Sequence, residues 1–312
     1  MPSKNIAYHL LALLTVSVWG TTFISTKVLI SSGLTPAEIM FLRFAIAYVF
    51  LWVLTYKKLF ADNAKDEFLF LLSGITGGSL YFMTENTALS FSLASNVSLL
   101  VCTAPIFTAI LFFLSHRKEK LKFKLVYGSV LAFSGVALVI YSGGFILKIN
   151  PLGDFLALMA ALSWALYSLI SKGLINRYSS MFVTRKVFFY GMLTILPFLL
   201  CQPVHPSLSL MLKPTVLFNL LFLGLIASML GYIFWNLATR RLGIVRVTTY
   251  IYFSPVITLI TANILLHEHI TLPAMIGACL IVGGVYLAEK GFQLNRFILL
   301  RPTPQHSRRD RQ

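Results

Sequence analysis

Apolar runs about a bilayer in length, separated by short polar joints, recur from one end of the chain to the other. A helix rises 1.5 Å per residue, so crossing the hydrocarbon core takes about 20 apolar residues. Ten runs qualify, near residues 6–30, 36–56, 67–90, 93–115, 123–143, 152–174, 181–200, 215–239, 243–266 and 271–289. Their joints carry turn and breaker residues: Ser31-Ser32-Gly33 ahead of Pro36, Ser142-Gly143-Gly144 ahead of Pro151, and Gln202-Pro203 through Pro206 ahead of Pro214. None could hold a soluble domain. The pattern predicts an all-α integral membrane protein with ten transmembrane helices. The first run continues to Ile30 with Trp19 and Phe23 inside it, too long for a signal-peptide core, and is read as an uncleaved helix.

Composition agrees. Hydrophobic residues make up 57% of the 312 positions and charged ones 12%, against about 25% charged in soluble domains. A net charge of +16 would suggest nucleic acid. The basic residues, however, lie in short loops and the tail, without aromatic–basic interleaving, and nucleic acid is excluded as a partner. They instead set orientation, because Lys- and Arg-rich loops stay cytoplasmic. With the N-terminus inside, the outer face receives only Lys148 and Lys213. Lys27, Arg43 and Lys172 sit within or at the edge of spans, and the remaining Lys and Arg of the 26 fall inside. Both termini are expected in the cytoplasm, in a bacterial-type inner membrane, with the basic run Arg117 to Lys124 against anionic lipids.

The chain also repeats itself. SVWGTTFISTK (Ser17 to Lys27) aligns with LSWALYSLISK (Leu162 to Lys172), pairing Trp19 with Trp164 and Lys27 with Lys172. The stretch from Tyr81 to Pro105 returns 150 positions later, matching Asn86 to Asn236, Ala88 to Ala238, Val97 to Val247 and Pro105 to Pro255. After one further indel, Glu119, Gly128 and Gly135 match Glu268, Gly277 and Gly284. Halves of five spans must run in opposite directions, so the expected fold is an inverted 5+5 repeat around a central cavity, the layout of many secondary transporters. The units would be 1–146 and 147–291, followed by a basic cytoplasmic tail, 292–312.

Several landmarks carry a family resemblance: Trp19-Gly20, Arg43, Ala-Ser-Asn-Val (Ala94 to Val97) leading to Pro105, Glu119 and Glu268, and GDFLALMAALSWALYSLISK (Gly153 to Lys172). Together they resemble the EamA-type members of the drug/metabolite transporter superfamily, across roughly residues 8–290. That resemblance implies a 5+5 helical fold with a central cavity and export or exchange of small metabolites, often amino acids or related compounds. The second half departs from the first, with Phe188 or a neighbour where Arg43 would be expected and Trp235 for Glu85.

Glu85 is the leading candidate, since an ionisable group inside a span is costly and faces a cavity or a partner. Lys27, Arg43 and Glu85 lie at similar depth, and a cluster of the three would either close the external mouth or form a fixed ion pair. A carboxylate in apolar surroundings could also take up a proton, though a nearby cation would oppose this. Trp19 and Trp164 sit at mid-depth, away from the interfaces Trp favours, and either stack on substrate or pack the repeat interface. Tyr81, Asn86, Ser95 and Asn96 form one polar–aromatic set; Tyr167, Tyr232, Trp235, Asn236, Tyr250 and Tyr252 form another. Such amides bond either a substrate or a neighbouring helix. Pro105 and Pro255 are expected to kink their helices. Cys102, Cys201 and Cys279 read as packing residues, and His9, His267 and His269 lack carboxylate or Cys partners at metal-ligand spacing.

No cofactor or metal site is expected. The leading function is a secondary transporter of a small organic metabolite, an amino acid or related amphiphile, working outward by alternating access as a monomer or homodimer. An uptake carrier or exchanger of the same fold would share these features. An integral-membrane lipid-modifying enzyme would need a catalytic set that does not appear, and no P-loop is present for ATP hydrolysis.

Overall fold

The computed structural model describes residues 3–92, 94–115, 123–142, 150–200, 207–266 and 272–290. Glu119, Lys148, Cys201, His267, Glu268, His269 and the tail lie outside these, as do the side chains of Ser95 and Asn96. The described residues form helical rods: α1 (Ser3–Ser31), α2 (Pro36–Thr55), α3 (residues 64–91), α4 (residues 94–115), α5 (Phe123–Ser142), α6 (Pro151–Arg177), α7 (Ser180–Leu200), α8 (Pro214–Leu242), α9 (residues 244–266) and α10 (Leu272–Lys290). One extra helical turn, Leu208–Met211, precedes α8. Each rod falls on one of the apolar runs. Six of them, α1, α2, α4, α6, α7 and α8, contain stretches long and apolar enough to cross a membrane by themselves.

Local chemistry sets the ends. Thr35 and Glu38 form a reciprocal capping box ahead of Pro36, satisfying donors that the first turn of α2 leaves free. Asn63 caps α3 by accepting from the Asp66 amide at 2.8 Å, and Asn150 caps α6 by accepting from Gly153 at 3.1 Å, with Pro151 as first helical residue. Four rods are not uniform. Both α3 and α8 widen into π-helical turns, at Ile75–Ser79 and Phe222–Leu230. In α4 the α-helix lapses at Cys102 and Thr103, just before Pro105. In α9 it tightens to a 3-10 turn over Thr249–Phe253, just before Pro255. Each proline lacks the amide that would continue the ladder.

α2 packs on α7, α3 on α6 and α7, α1 on α8 and α9, and α4 on α6. The tightest pairing joins α5 to α10. A Cβ on Gly128 would stand 2.4 Å from the Ala288 nitrogen, and one on Gly135 would stand 2.6 Å from the Gly277 oxygen. The backbones touch, as small residues allow between helices in lipid. Gly128 also meets the Gly284 oxygen, at 2.6 Å. Exchanging each residue for its repeat mate turns the Gly128–Gly284 contact into the Gly277–Gly135 contact. Both are made, as a two-fold relation between the halves requires.

The two ends of the bundle differ in chemistry. At one, buried Asp66 pairs with Arg177 at 2.6 Å and accepts from the Tyr178 hydroxyl at 2.7 Å, while Glu67 accepts from Lys186 and Tyr190. Burial, together with the Asp66 carboxylate, pushes the Tyr178 phenol up to about 12. Arg185 donates to the Thr55 and Lys58 carbonyls, and Arg240 to those of Ile175 and Tyr178. At the other end Leu29, Leu34, Ile39, Val216, Leu220 and Leu223 form an apolar cluster. Around the outside, exposed side chains such as Leu10, Leu14, Phe50, Val53, Phe198 and Phe218 give an apolar surface. Cys102 is buried, its thiol directed at the Ile251 oxygen at 3.5 Å, whereas Cys279 is exposed and not a packing residue.

Replacing a glycine at the α5–α10 contact forces two backbones apart. Gly128→Ala and Gly284→Ala are each expected to cost roughly 1–3 kcal/mol, the usual range for overpacking, read as a lower unfolding midpoint in detergent. Gly283→Ala, with nothing within 4 Å of its Cβ, is expected to leave that midpoint unchanged.

Candidate functional site

The widened turns in α3 and α8 shape the middle of the molecule. A π-turn shifts the hydrogen-bond register, leaving carbonyls to be satisfied from elsewhere. Three are met by side chains of the opposite half. Ser163 donates to the Thr76 oxygen at 2.7 Å, Tyr232 to the Gly77 oxygen at 2.5 Å, and the Trp19 indole nitrogen to the Ala227 oxygen at 2.9 Å. Gly77 has no room for a side chain, because its Cβ would lie 2.4 Å from the Tyr167 ring. Gly231 is likewise confined, since its Cβ would lie 2.8 Å from the Trp19 nitrogen.

Near these turns lies a small cavity of about 50 Å³, lined by Val16, Trp19, Thr22, Phe23, Arg43, Tyr81, Phe82, Glu85, Val101, Ala104, Trp164, Tyr232, Ile251 and Ser254. Several are repeat mates: Trp19 with Trp164, Phe82 with Tyr232, Val101 with Ile251, and Ala104 with Ser254. Its two charged side chains are Arg43 and Glu85, 2% and 5% exposed. Glu85 accepts from the Tyr81 hydroxyl at 3.0 Å. Arg43 donates through Nε to Ser228 at 2.8 Å, and its guanidinium carbon lies 4.3 Å from the centroid of the Phe82 ring. The two charges share the cavity through separate hydrogen-bond partners.

Lys27 does not join them. Its ammonium donates to the Leu89 oxygen at 2.5 Å and the Ser92 oxygen at 3.4 Å, capping the carbonyls at the end of α3, where a cation complements the helix dipole. The expected three-charge cluster is thus a pair in the cavity and a separate helix cap. Tyr167 and Trp235 stand behind the lining. The Tyr167 ring lies 5.1 Å from Trp164, and Trp235 lies 5.0 Å from Trp19 and 6.0 Å from Trp164. Trp19 and Trp164 meet edge-to-face at 5.1 Å.

Asn86 and Asn236 turn out to be helix ties. Asn86 donates to the Pro36 oxygen at 3.1 Å, joining α3 to the start of α2. Asn236 donates to Thr184 at 3.2 Å and accepts from Tyr167, joining α8 to the start of α7. Tyr250 meets His9 at 2.6 Å, and Tyr252 is wholly buried; neither lines the cavity. Thr22, Phe23, Phe82, Val101, Ala104, Ile251, Ser254 and the Arg43 partner Ser228 were not anticipated. The repeat carried a signal for some of them, since Phe82 is the mate of Tyr232.

The EamA-like transporter family model matches the chain twice, at residues 6–141 and 151–289. An uncharacterized transporter of Archaeoglobus fulgidus is 28% identical over 91% of this chain and 97% of its own length. A probable amino-acid metabolite efflux pump of Salmonella typhimurium is 30% identical over 92% and 96%. A probable terminal-alkyne amino-acid exporter of Streptantibioticus cattleyicolor is 28% identical over 89% and 91%. One solved crystal structure, at 20% identity, shares the fold with a TM-score of 0.68 over 90% of this chain and 98% of that one.

Gly77→Ala sets a methyl against the Tyr167 ring. It is expected to destabilise by roughly 1–3 kcal/mol, measured as a lower thermal midpoint, and Tyr167→Ala in the same chain is expected to restore part of the loss relative to Tyr167→Ala alone.

Proposed function

The chain belongs to the EamA-like transporter family, a family of multi-pass membrane proteins, and from that premise we propose that it is a secondary exporter of a small zwitterionic metabolite. Residues 1–146 and 147–291 are two inverted five-helix units, and all ten rods cross the membrane. The observation that carries this reading is the cavity itself. It is lined by repeat mates from both halves and furnished with one cation and one carboxylate in aromatic walls. Its volume, about 50 Å³, lies below the range of about 300–1,000 Å³ common for small-molecule sites, so binding requires its walls to part. Arg43 offers donors to a substrate carboxylate, Glu85 with Tyr81 offers acceptors to an ammonium, and the rings of Trp19, Phe23, Phe82 and Trp164 take an apolar side chain. An amino acid or a close relative fits that set, in keeping with the relatives named as amino-acid exporters.

Alternating access follows from inversion. Two related units of opposite orientation have two packings of similar energy, each opening the cavity to one side. The end carrying Lys57, Lys58, Arg177, Arg185, Lys186 and Arg240 faces the cytoplasm under the positive-inside rule. Its ion pairs hold that end together through polar contacts, and the apolar cluster of Leu29, Leu34, Val216 and Leu220 closes the other.

The test is counterflow in proteoliposomes over a panel of amino acids, nucleosides and amphipathic cations. Exchange of at least one amino acid is expected, and none across the panel would defeat the reading. Glu85→Gln keeps the size of the side chain but loses its charge. A charge-assisted hydrogen bond contributes about 1.5–3 kcal/mol, so that variant is expected to lose at least about tenfold in exchange while retaining its thermal midpoint. Reporter fusions after Lys58 and after Lys213 are expected to report opposite faces of the membrane.

A further inference from the structure

The repeat symmetry that the α5–α10 glycines obey is broken at the tryptophans. Trp19 in the first half donates to the oxygen of Ala227, in the widened turn of the second. Exchanging mates, with Trp164 for Trp19 and Gly77 for Ala227, predicts an indole bond from Trp164 to the Gly77 oxygen. That bond is not made. The Gly77 oxygen already accepts from the Tyr232 hydroxyl, and the Trp164 nitrogen is left buried without a hydrogen-bond partner. Trp164 is only 4% exposed and lines the cavity.

A buried donor without an acceptor costs about 1–3 kcal/mol, and native interiors rarely keep one without a reason. The pattern of mates supplies the reason. Tyr232 corresponds to Phe82, which has no hydroxyl and cannot compete for the Ala227 oxygen. The second half therefore has two candidate donors for the Gly77 oxygen, Tyr232 and Trp164, while the first half has one donor for its mate. In this conformation Tyr232 holds Gly77 and Trp19 holds Ala227.

We propose that Trp19 and Trp164 are alternate donors to the two widened turns, and that exchange between them sets which side of the membrane the cavity faces. In the conformation described here the Trp19–Ala227 and Tyr232–Gly77 bonds are closed and Trp164 is open. In the oppositely facing conformation the two units trade arrangements: Trp164 takes the Gly77 oxygen, Tyr232 releases it, and Trp19 leaves Ala227. The indoles act as positioning residues, because each fixes the tilt of the opposite half against a turn in which the helical ladder is already loosened. This rests on the transporter reading and on the inversion of the halves.

The two units are of opposite hand to the membrane, so the proposal makes a sign prediction. The full-length protein carries one reporter cysteine at Ser254→Cys, with its three native cysteines replaced by serine or alanine. It is reconstituted and labelled with a membrane-impermeant maleimide added to one side or the other. The readout is the ratio of the two labelling rates. Trp19→Phe removes a bond made only in the present conformation and Tyr232→Phe does the same while freeing the Gly77 oxygen, so both move the ratio in one direction. Trp164→Phe removes a bond made only in the other conformation and moves it oppositely. Each shift is expected to be about fivefold, the population change that one net hydrogen bond sets. If Trp19→Phe fails to fold, as judged by size-exclusion profile, Tyr232→Phe carries the same sign. Shifts of the same sign for Trp19→Phe and Trp164→Phe would overturn the proposal. So would an unchanged ratio for Trp164→Phe with weakened amino-acid counterflow, which would make its N–H a substrate contact instead. Counterflow by the wild-type chain in the same vesicles tests the transporter reading independently of these signs.

Discussion

A backbone carbonyl released from its helix in an apolar medium must find another donor, and the centre of this molecule is arranged around that requirement. Straight α-helices of Leu, Ile and Phe would satisfy themselves and leave no reason for side chains to reach between the halves. The π-turns at Ile75–Ser79 and Phe222–Leu230 break that self-sufficiency in two helices at once. The carbonyls of Thr76, Gly77 and Ala227 then draw Ser163, Tyr232 and Trp19 across. Tyr232 and Trp19 carry large rings, and those rings become walls of the cavity. The same feature that loosens the helices furnishes the chamber between them.

The helices were legible because hydrophobic length is a strong signal when only one medium surrounds it. Each of the ten runs coincides with a rod, and the boundaries set by Thr35-Pro36, Asn150-Pro151 and Gly243 fall within a few residues of the turn chemistry. That Trp19, Arg43, Tyr81, Glu85, Trp164 and Tyr232 meet at one cavity was legible for a related reason. Polar or amphipathic groups at mid-depth are expensive, so where they occur they gather. Lys27 misled because depth along a helix says nothing about azimuth: it lies near Glu85 in height yet turns to the carbonyls at the end of α3. The two asparagines stayed open in the sequence for the converse reason, since an amide in a span is satisfied as readily by a neighbouring helix as by a ligand. The π-turns were not foreseen at all. Their only trace is glycine and hydroxyl content, Thr76-Gly77-Gly78-Ser79 and Gly224 with Ser228, which is indistinguishable in sequence from ordinary small-residue packing.

Rigid and loosened regions are kept apart. The α5–α10 pair meets backbone to backbone along the glycines, and its Gly128–Gly284 and Gly135–Ile281 contacts have symmetric counterparts in Gly135–Gly277 and Gly284–Ala132, so it makes a close-packed post. α4 and α9 sit beside that post and each loses regular helix just before its proline. α3 and α8 carry the widened turns. Helices with incomplete ladders absorb a change in direction over a few residues, while a close-packed glycine seam cannot slide without parting backbones. The close-packed seam and the loosened helices that line the cavity are therefore separate parts of the bundle.

The asymmetry between the units comes in matched pairs, and this argues that it is functional and not drift in one copy. Arg43 finds Ser228; their mates are Phe188 and Gly78, a ring and a residue without a side chain. Tyr81 donates to Glu85; their mates are Gly231 and Trp235, the glycine leaving space that the Trp19 nitrogen occupies. Tyr232 holds Gly77; its mate Phe82 cannot hold Ala227, and Trp19 does so instead. A donor lost in one unit is accompanied each time by the loss of its acceptor or by a substitute donor, so no buried charge is stranded on the second half. Both charges of the cavity therefore come from the first unit, and the second supplies Trp164, Tyr232 and Ile251 to its walls. Geometry is thus nearly two-fold at the α5–α10 seam, while the chemistry of the cavity is one-sided.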